Sequence, residues 1–171
     1  MVKKSDFVMI EIFYLPTERW REYKSLRLFA LDTEKFAFSK KYCEEKNISP
    51  KVWKSRLDSN SVVFAQDEEG LIGMAAFVFS TAKVDDGLAN IFSVYVIPAM
   101  RKKGVAKKLF NFILKEAKKS RVKKIELSVF ENNLPAKSFY LSCGFKITGK
   151  NEKKFFVEGK YYAELLMERV L

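Results

Sequence analysis

The sequence predicts an α/β fold with a mixed β-sheet, and three observations support this prediction. Short runs rich in β-branched and aromatic residues recur along the chain and end at proline, glycine or acidic residues. In the C-terminal half these runs alternate with segments whose apolar residues follow helical spacing. Hydrophobic residues make up 48% of the 171 residues, with only seven glycines and four prolines, so the chain can bury a substantial core. We expect a single domain over residues 1–171.

The N-terminal half is predicted to hold one strand, three helical segments and then further strands. The pattern places a strand at Val8–Leu15, a helix at Glu18–Ala30 capped by Thr17, a second helix at Phe38–Lys46 and a short helical stretch around Trp53 and Leu57. It then places a hairpin of Val62–Gln66 and Leu71–Phe79 around the turn Asp67–Gly70, and a strand at Ile91–Ile97 that Pro98 ends.

The C-terminal half alternates helices and strands, which is the pattern of an α/β sheet. The predicted elements are a helix at Gly104–Lys119, a strand at Lys124–Val129, a helix at Pro135–Cys143 and strands at Phe145–Gly149 and Tyr161–Val170.

The formal charge of +11 is concentrated in one segment. Between Arg101 and Lys124 the chain has eleven basic residues and a single acid, Glu116, while the rest of the chain is close to neutral. This concentration favours a small phosphorylated ligand, or a partner that docks at one place, over a protein that coats a polyanion. A solvated helix face explains Lys115, Lys118 and Lys119 equally well.

The cysteine and histidine content excludes several classes of chemistry. The sequence has no histidine, and its two cysteines, Cys43 and Cys143, match no zinc spacing. We therefore expect no metal site and no Ser-His-Asp or Cys-His catalysis. No apolar run approaches the ~18 residues of a membrane span, and Asp6 and Glu11 interrupt the N-terminal segment. A cytoplasmic protein without a membrane partner is expected.

The segment that follows Pro98 and opens the next helix has the features of an anion site. A helix start leaves about four N–H groups unpaired and carries roughly half a positive charge, which suits phosphate. Gly104 allows a ligand to approach the backbone closely, and Ala106 keeps the first turn free of bulk. The basic residues of Arg101–Lys103 oppose the helix dipole, and an anionic ligand removes this conflict. Neither the P-loop nor the dinucleotide-binding glycine pattern is present.

Two motifs in order resemble those of the GNAT N-acetyltransferase superfamily. The pattern Arg101-x-x-Gly104-x-Ala106 is similar to the family's Q/R-x-x-G-x-G/A loop, which binds the pyrophosphate of acetyl-CoA. The next family motif resembles Val129-x-x-x-Asn133-x-x-Ala136-x-x-Phe139-Tyr140-x-x-x-Gly144-Phe145. The N-terminal helical segment is similar to that of many bacterial and archaeal members, and the last strand also fits, so the resemblance spans nearly the whole chain.

The resemblance implies a fold, a reaction and a set of site residues. The fold is a mixed, mostly antiparallel central sheet of about seven strands with helices on both faces. The reaction is direct transfer of an acetyl group from the cosubstrate acetyl-CoA to a primary amine of a small molecule or peptide, in a ternary complex. The residues implied for the cofactor are Val94, Tyr95, Val96, Arg101, Lys102, Lys103, Gly104, Val105, Ala106, Lys107, Asn133 and Tyr140. Backbone N–H groups near Val94–Val96, in a bulged strand, would stabilise the oxyanion.

Tyr140 is the catalytic residue that the resemblance implies, because relatives place a tyrosine near the CoA sulfur, where a phenol can protonate the leaving thiolate. The other interpretation of Tyr140 is a buried aromatic residue packed on Ala136. Asn133 is either the cap of the helix that begins near Pro135 or a hydrogen-bonding group for the cofactor. Cys143 lies on the apolar stripe of the same helix and is interpreted as a core residue.

The general base is left open. Many relatives carry a glutamate where this sequence has Ala89–Ser93, and the acids considered instead are Asp85, Asp86 and Glu164. A water chain held by Asn90 or Ser93 is the preferred interpretation.

The acceptor groove of relatives corresponds to Leu31–Lys40 and Asn151–Lys160, where aromatic and basic residues favour a neutral or anionic amine, or a peptide terminus, over a polycation. Two other functions are considered: a nucleic-acid-binding protein that uses the basic segment 101–124, and a CoA-sensing module of the same fold without catalysis. Nucleic acid is the disfavoured partner, and a homodimer is left open.

Overall fold

The computed structural model of the protein describes residues 9–34, 38, 40–79, 87–157 and 159–171. Within these residues seven strands form one sheet. The strands are β1 (Glu11–Tyr14), β2 (Val62–Asp67), β3 (Gly70–Phe79), β4 (Leu88–Val96), β5 (Lys124–Phe130), β6 (Lys146–Val157) and β7 (Lys160–Val170). Their order is β1-β2-β3-β4-β5-β7-β6, and every neighbouring pair is antiparallel except β4 and β5. The predicted mixed, mostly antiparallel sheet is confirmed.

Helices cover both faces of the sheet, as predicted. They are α1 (Trp20–Thr33), α2 (Tyr42–Glu45), α3 (Pro50–Asp58), α4 (Val105–Lys119) and α5 (Leu134–Ser142). Short 3-10 turns at Thr17–Arg19 and Pro98–Met100 precede α1 and α4.

Each face of the sheet has its own apolar core. Neighbouring residues of a strand point to opposite faces, so in β2 Val63 joins the core under α4 while Phe64 joins the core under α1 and α3. In α4 the residues Leu109, Phe110 and Ile113 are fully buried, at the i, i+1, i+4 spacing of a helix face. The two cores pack the sheet between the helices on its two faces.

Two expectations for the N-terminal half need correction. The helix begins at Trp20, and Thr17 is not its cap, because the Thr17 hydroxyl donates instead to Asp58 Oδ1 at 2.5 Å. The helix expected over Phe38–Lys46 is the single turn α2, and Phe38 lies outside it, with its ring 4.7 Å from Arg27 Cζ. Phe38 packs against the core under α1 and α3 and stacks on the Arg27 guanidinium, contacts that its local sequence pattern does not show. The start of the predicted first strand, Val8, lies outside the described residues.

The strand expected at Phe145–Gly149 is longer than predicted. It continues to Val157, so the groove segment Asn151–Lys160, which the resemblance implies to be the loop before the last strand, is mostly strand and closes in a turn around Gly159. The polar run after Asn151 shows no strand pattern, but the residues beyond a bulge pair with β7, including Phe155 with Tyr162. Pairing with β7 therefore determines where this strand ends, and the local composition does not predict that end.

Candidate active site

Strand β4 separates from strand β5 at the centre of the sheet. The two parallel strands pair only over Leu88–Asn90, opposite Lys124–Glu126. Beyond Asn90 a bulge interrupts the pairing of β4 with β3 as well: Met74 pairs with Tyr95 and Ala76 with Phe92, which leaves one extra residue on β4. The extra residue lies at Ser93, whose φ of 54° is in the left-handed region that non-glycine residues rarely adopt.

The hydrogen bonds beyond the bulge show which N–H groups of β4 face the gap. Ile97 N donates to Ile72 O of β3 at 3.0 Å. Successive N–H groups of a strand point to opposite edges, so the N–H groups of Val94 and Val96 face away from β3, and that of Tyr95 faces β3. Of the three residues predicted to line the cofactor through their backbone, two therefore present N–H groups to the gap and one does not.

The start of α4 lies just after the end of β4. Lys108 N donates to Gly104 O at 3.0 Å, the first hydrogen bond of the helix, and the preceding N–H groups are those that any helix leaves without an intrahelical acceptor. Gly104 is the N-cap residue with φ 81°, and a Cβ built there would meet no atom within 4 Å. An open backbone at a helix N-terminus fits the phosphates of a nucleotide cofactor.

The basic residues at this helix start differ in their surroundings. Lys102, Lys103 and Lys107 are exposed, whereas Arg101 folds back onto the protein. Its Nε donates to Val96 O at 3.0 Å and its Nη2 to Glu34 Oε1 at 2.5 Å. Arg101 therefore joins the helix start to the end of β4 and to the end of α1. Two apolar residues of this turn were also predicted to bind the cofactor. Val105 is buried in the core, and Ala106 is half-buried.

Asn133 and Tyr140 lie at opposite ends of α5. The Asn133 side chain accepts a hydrogen bond from Ala136 N at 3.2 Å, which confirms the predicted helix cap. Tyr140 is 8% exposed, and its ring centroid lies 5.6 Å from that of Phe110 and 6.1 Å from that of Phe145. Burial, with a smaller contribution from Cys143, raises the pKa of Tyr140. The phenol is therefore protonated at neutral pH and remains a hydrogen-bond donor.

Cys143 packs against the core, as predicted, and burial raises the pKa of its thiol. A raised pKa disfavours the thiolate, the nucleophilic form, so the surroundings of Cys143 fit a packing role.

Two adjoining cavities lie beside the bulge. One, of about 430 Å³, is lined by residues of α1, α2 and α3 and by Phe92, Ser93, Ser128 and Glu164. The other, of about 380 Å³, lies between β4 and β5 and shares Phe92, Ser128 and Glu164 with the first. Asn90 lines the second cavity, so both residues predicted to hold a water chain border this space. The combined space is large enough for a small ligand.

Glu164 is the carboxylate that both cavities share. Its side chain is 13% exposed and accepts hydrogen bonds from Ser128 Oγ at 2.7 Å and Asn151 Nδ2 at 3.1 Å. Of the acids considered from the sequence, Glu164 is thus brought to the cavity, while Asp85 and Asp86 lie outside the described residues.

Sequence reasoning missed a buried charged cluster in the larger cavity. Glu45 of α2 accepts hydrogen bonds from Arg27 of α1 at 3.1 and 3.3 Å and from Arg56 of α3 at 3.1 Å. Burial alone would raise the pKa of Glu45, but the hydrogen bonds and charges of the two arginines outweigh it and lower that pKa. No local motif joins these positions, and the one signal in the sequence was that Arg27 falls between the apolar residues of α1.

Among the described residues, no helix is long and apolar enough to cross a membrane, and no group of three or more Cys, Asp or Glu side chains is placed to hold a metal ion.

The comparison with protein families agrees with this geometry. The model of the acetyltransferase (GNAT) family matches residues 18–145, and the chain belongs to that family. The match includes the bulged strand, the start of α4 and Tyr140. Among curated proteins, none matches this sequence significantly.

Solved structures with the same fold cover almost the whole chain. An acetyltransferase of the GNAT family from Streptococcus pneumoniae has a TM-score of 0.84 at 16% identity, over 95% of this chain and 99% of that one. The ribosomal-protein-alanine N-acetyltransferase from Brucella melitensis has a TM-score of 0.78 at 18% identity, over 94% and 99%. The protein yncA from Salmonella typhimurium, solved with its cofactor acetyl-CoA, has a TM-score of 0.79 at 16% identity, over 95% and 94%. At these identities the likeness concerns the fold alone.

Proposed function

We propose that this acetyltransferase moves the acetyl group of acetyl-CoA to a primary amine of a small molecule or peptide, directly and in a ternary complex. The observation that carries the proposal is the separation of β4 from β5 at the bulge. There the backbone N–H groups of Val94 and Val96 face away from β3, beside a cavity and next to a helix N-terminus. The two cysteines are free, which fits the reducing cytoplasm as the site of the reaction.

The start of α4 is the proposed binding site for the diphosphate. The N–H groups of Gly104, Val105 and Ala106 would hold the phosphate oxygens, since their carbonyl partners are missing at a helix start and the helix dipole adds favourable charge. The exposed Lys102, Lys103 and Lys107 would contribute attraction that salt screens. Arg101, by contrast, positions this turn through its bonds to Val96 and Glu34.

The backbone of β4 is the proposed donor to the reacting carbonyl. When bound, acetyl-CoA supplies an activated acyl group. The N–H groups of Val94 and Val96 are fixed by the bulge and need no reorganisation to donate to an oxygen that gains negative charge, which is the most effective form of such stabilisation.

Tyr140 is the proposed donor toward the sulfur. Because its pKa is raised by burial, it lies above the ~8.5 of a typical thiol, and the phenol is better suited to donating a strong hydrogen bond than to complete proton transfer. A rigid aromatic cluster around the ring would keep the hydroxyl in one orientation.

Glu164 is the proposed partner of the acceptor amine. It is a carboxylate in the wall shared by both cavities, and the hydrogen bonds from Ser128 and Asn151 fix its orientation. An ammonium ion bound there can lose its proton to the carboxylate, or to water held near Asn90 and Ser93, before it attacks.

The test combines binding and turnover. Calorimetry should show one acetyl-CoA site per chain, and an amine panel should release free CoA thiol together with N-acetylated product identified by mass. Binding of acetyl-CoA without product from any amine would instead indicate a CoA-sensing module.

A further inference from the structure

The cluster of Arg27, Glu45 and Arg56 is unusual in its charge balance. Arg27 and Glu45 are 5% and 3% exposed, and two guanidinium groups share one carboxylate. The bidentate bond between Arg27 and Glu45 is enough to tie α1 to α2. The second arginine, Arg56, has a side chain that is 32% exposed, and it leaves an excess positive charge at the edge of the buried pair, where water screens it only in part.

Arg27 also retains unused hydrogen-bonding capacity. Its Nη1 is buried and has no hydrogen-bond partner among the described residues, although buried donors are nearly always paired. The ring of Phe38 covers the flat face of the guanidinium at 4.7 Å, which leaves the edge of the group for hydrogen bonds in its plane. An excess charge and an unpaired donor together point to a missing anion.

The cluster belongs to the same cavity as the proposed reaction centre. Arg27, Glu45 and Arg56 line the larger cavity, and Ser93 and Glu164 line it as well. One continuous space of about 430 Å³ therefore has an excess of positive charge on its helical wall and an orientated carboxylate on its sheet wall.

We propose that the acceptor amine also carries a carboxylate group, which Arg27 and Arg56 bind while Glu164 receives the amine. The substrate class is then that of amino acids and related amino-carboxylates. This inference rests on the proposed acetyltransferase function and adds the identity of the acceptor. A carboxylate matches the fork of a guanidinium in two hydrogen bonds, and it would balance the excess charge of the cluster.

Arg56→Gln is the informative variant, because it removes the excess charge and leaves the pair of Arg27 and Glu45 intact. Arg21→Gln is its matched control: Arg21 stacks on Trp20 at the 4.7 Å that separates Arg56 from Trp53, but it does not line the cavity. Each protein is assayed with a panel of amino acids and their C-terminal carboxamides, which share size and shape and differ in the charged group. Calorimetric titration of the best acid in the presence of CoA gives its affinity without turnover.

We expect the wild-type protein to prefer the best acid over its amide in kcat/KM by roughly 10- to 100-fold, the effect of one charge-assisted hydrogen-bonded pair. At neutral pH the less basic amine of the amide is unprotonated in a larger fraction of molecules, so a preference for the acid runs against the supply of free amine. Arg56→Gln should reduce the preference and the affinity for the acid at least tenfold, while Arg21→Gln leaves both unchanged.

Equal rates with acids and amides, or an unchanged preference in a folded Arg56→Gln, would overturn the inference while turnover of other amines still supported the acetyltransferase function. Failure of acetyl-CoA to bind would overturn both, and calorimetry with acetyl-CoA alone distinguishes that result.

Discussion

Two basic regions of this protein differ in how they hold their charge. At the start of α4 the basic side chains are mostly exposed, come from one continuous segment and surround open backbone at Gly104. In the cluster of Arg27, Glu45 and Arg56 the first two charges are buried, the Arg56 side chain is half-buried, and the three residues come from separate helices. Exposed charges are screened by water and salt, so each contributes little to stability, whereas buried charges depend on their partners. Substitutions of the exposed lysines in the first region should therefore change ligand binding alone, and those in the second region should change stability as well.

The largest effect is expected from Gly104→Glu, which places a bulky carboxylate where the phosphates would lie. Acetyl-CoA affinity should fall more than 100-fold, because a helix N-terminus that is blocked and negatively charged no longer accepts an anion. Gly159→Glu is the matched control, since Gly159 has φ 78°, close to the 81° of Gly104, and equally open space, so the backbone strain is the same. Calorimetry measures both, and unchanged affinity in folded Gly104→Glu would show that the phosphates bind elsewhere.

Glu45→Gln should break the buried cluster, because it leaves two arginines without their shared carboxylate. The free energy of unfolding should fall by about 3–5 kcal/mol, the usual cost of removing one partner from a buried ion pair. Glu22→Gln, in the exposed pair of Glu22 with Arg19, should cost only about 0–1 kcal/mol. Urea unfolding measures both variants, and similar losses would mean that the cluster contributes no more than a surface ion pair.

The same variants give a pH test of the cluster. The folded pKa of Glu45 is lowered from the ordinary 4.5, so the unfolded state takes up the proton first as the pH falls. The stabilisation by Glu45 is complete above pH ~4.5 to 5 and is lost below it. The difference in unfolding free energy between wild type and Glu45→Gln should therefore shrink between pH 6 and pH 3.5; a difference independent of pH would contradict this assignment.

Tyr140 combines features of both regions, since it is buried like the cluster but packs beside α4. Tyr140→Phe keeps the ring among Phe110 and Phe145 and removes only the hydroxyl. We expect kcat to fall at least tenfold with acetyl-CoA affinity nearly unchanged, and the unfolding free energy to change by ~1 kcal/mol. Tyr14→Phe is the control, because burial also raises the pKa of Tyr14, whose ring packs against Phe112. Neither tyrosine lines the two cavities, and only Tyr140 belongs to the motif that resembles the family's. Rapid-quench measurement of thiol release isolates the chemical step, and a wild-type rate there would leave Tyr140 as a core residue.

The smallest effect is expected at the exposed lysines of α4. If Lys107 and Lys108 attract the 3′-phosphate of CoA, dephospho-CoA should bind a few-fold more weakly than CoA, and the difference should vanish when both are changed to glutamine. Lys118 and Lys119 in the last turn provide the paired control. Equal affinities of the wild-type protein for both ligands would show that Lys107 and Lys108 are solvated surface residues that do not bind the 3′-phosphate.

These comparisons also explain why one region was predicted from the sequence and the other was not. The proposed anion site at α4 depends on consecutive residues: a strand end, a glycine and the first turn of a helix, all visible as one motif. The alternation of β-rich runs and helical spacing likewise predicted all seven strands, because the spacing of apolar residues and the residues that end an element are local properties of the sequence. The cap was one of the two roles considered for Asn133 for the same reason, since the N–H group that donates to its side chain, that of Ala136, lies three residues away.

Tertiary structure decided whatever depends on residues far apart in the chain. The extension of β6 to Val157 follows from pairing with β7, and Phe38 lies outside a helix, packed on the core under α1 and α3 and on Arg27. Past the bulge at Ser93, the N–H groups of Val94 and Val96 point toward the gap and that of Tyr95 points toward β3. The sequence alone does not show this, because a bulge reverses which N–H groups point to a given edge of the strand. Arg27, Glu45 and Arg56 became one site only when three helices packed together, since desolvation and ion pairing depend on distances in space rather than on spacing along the chain.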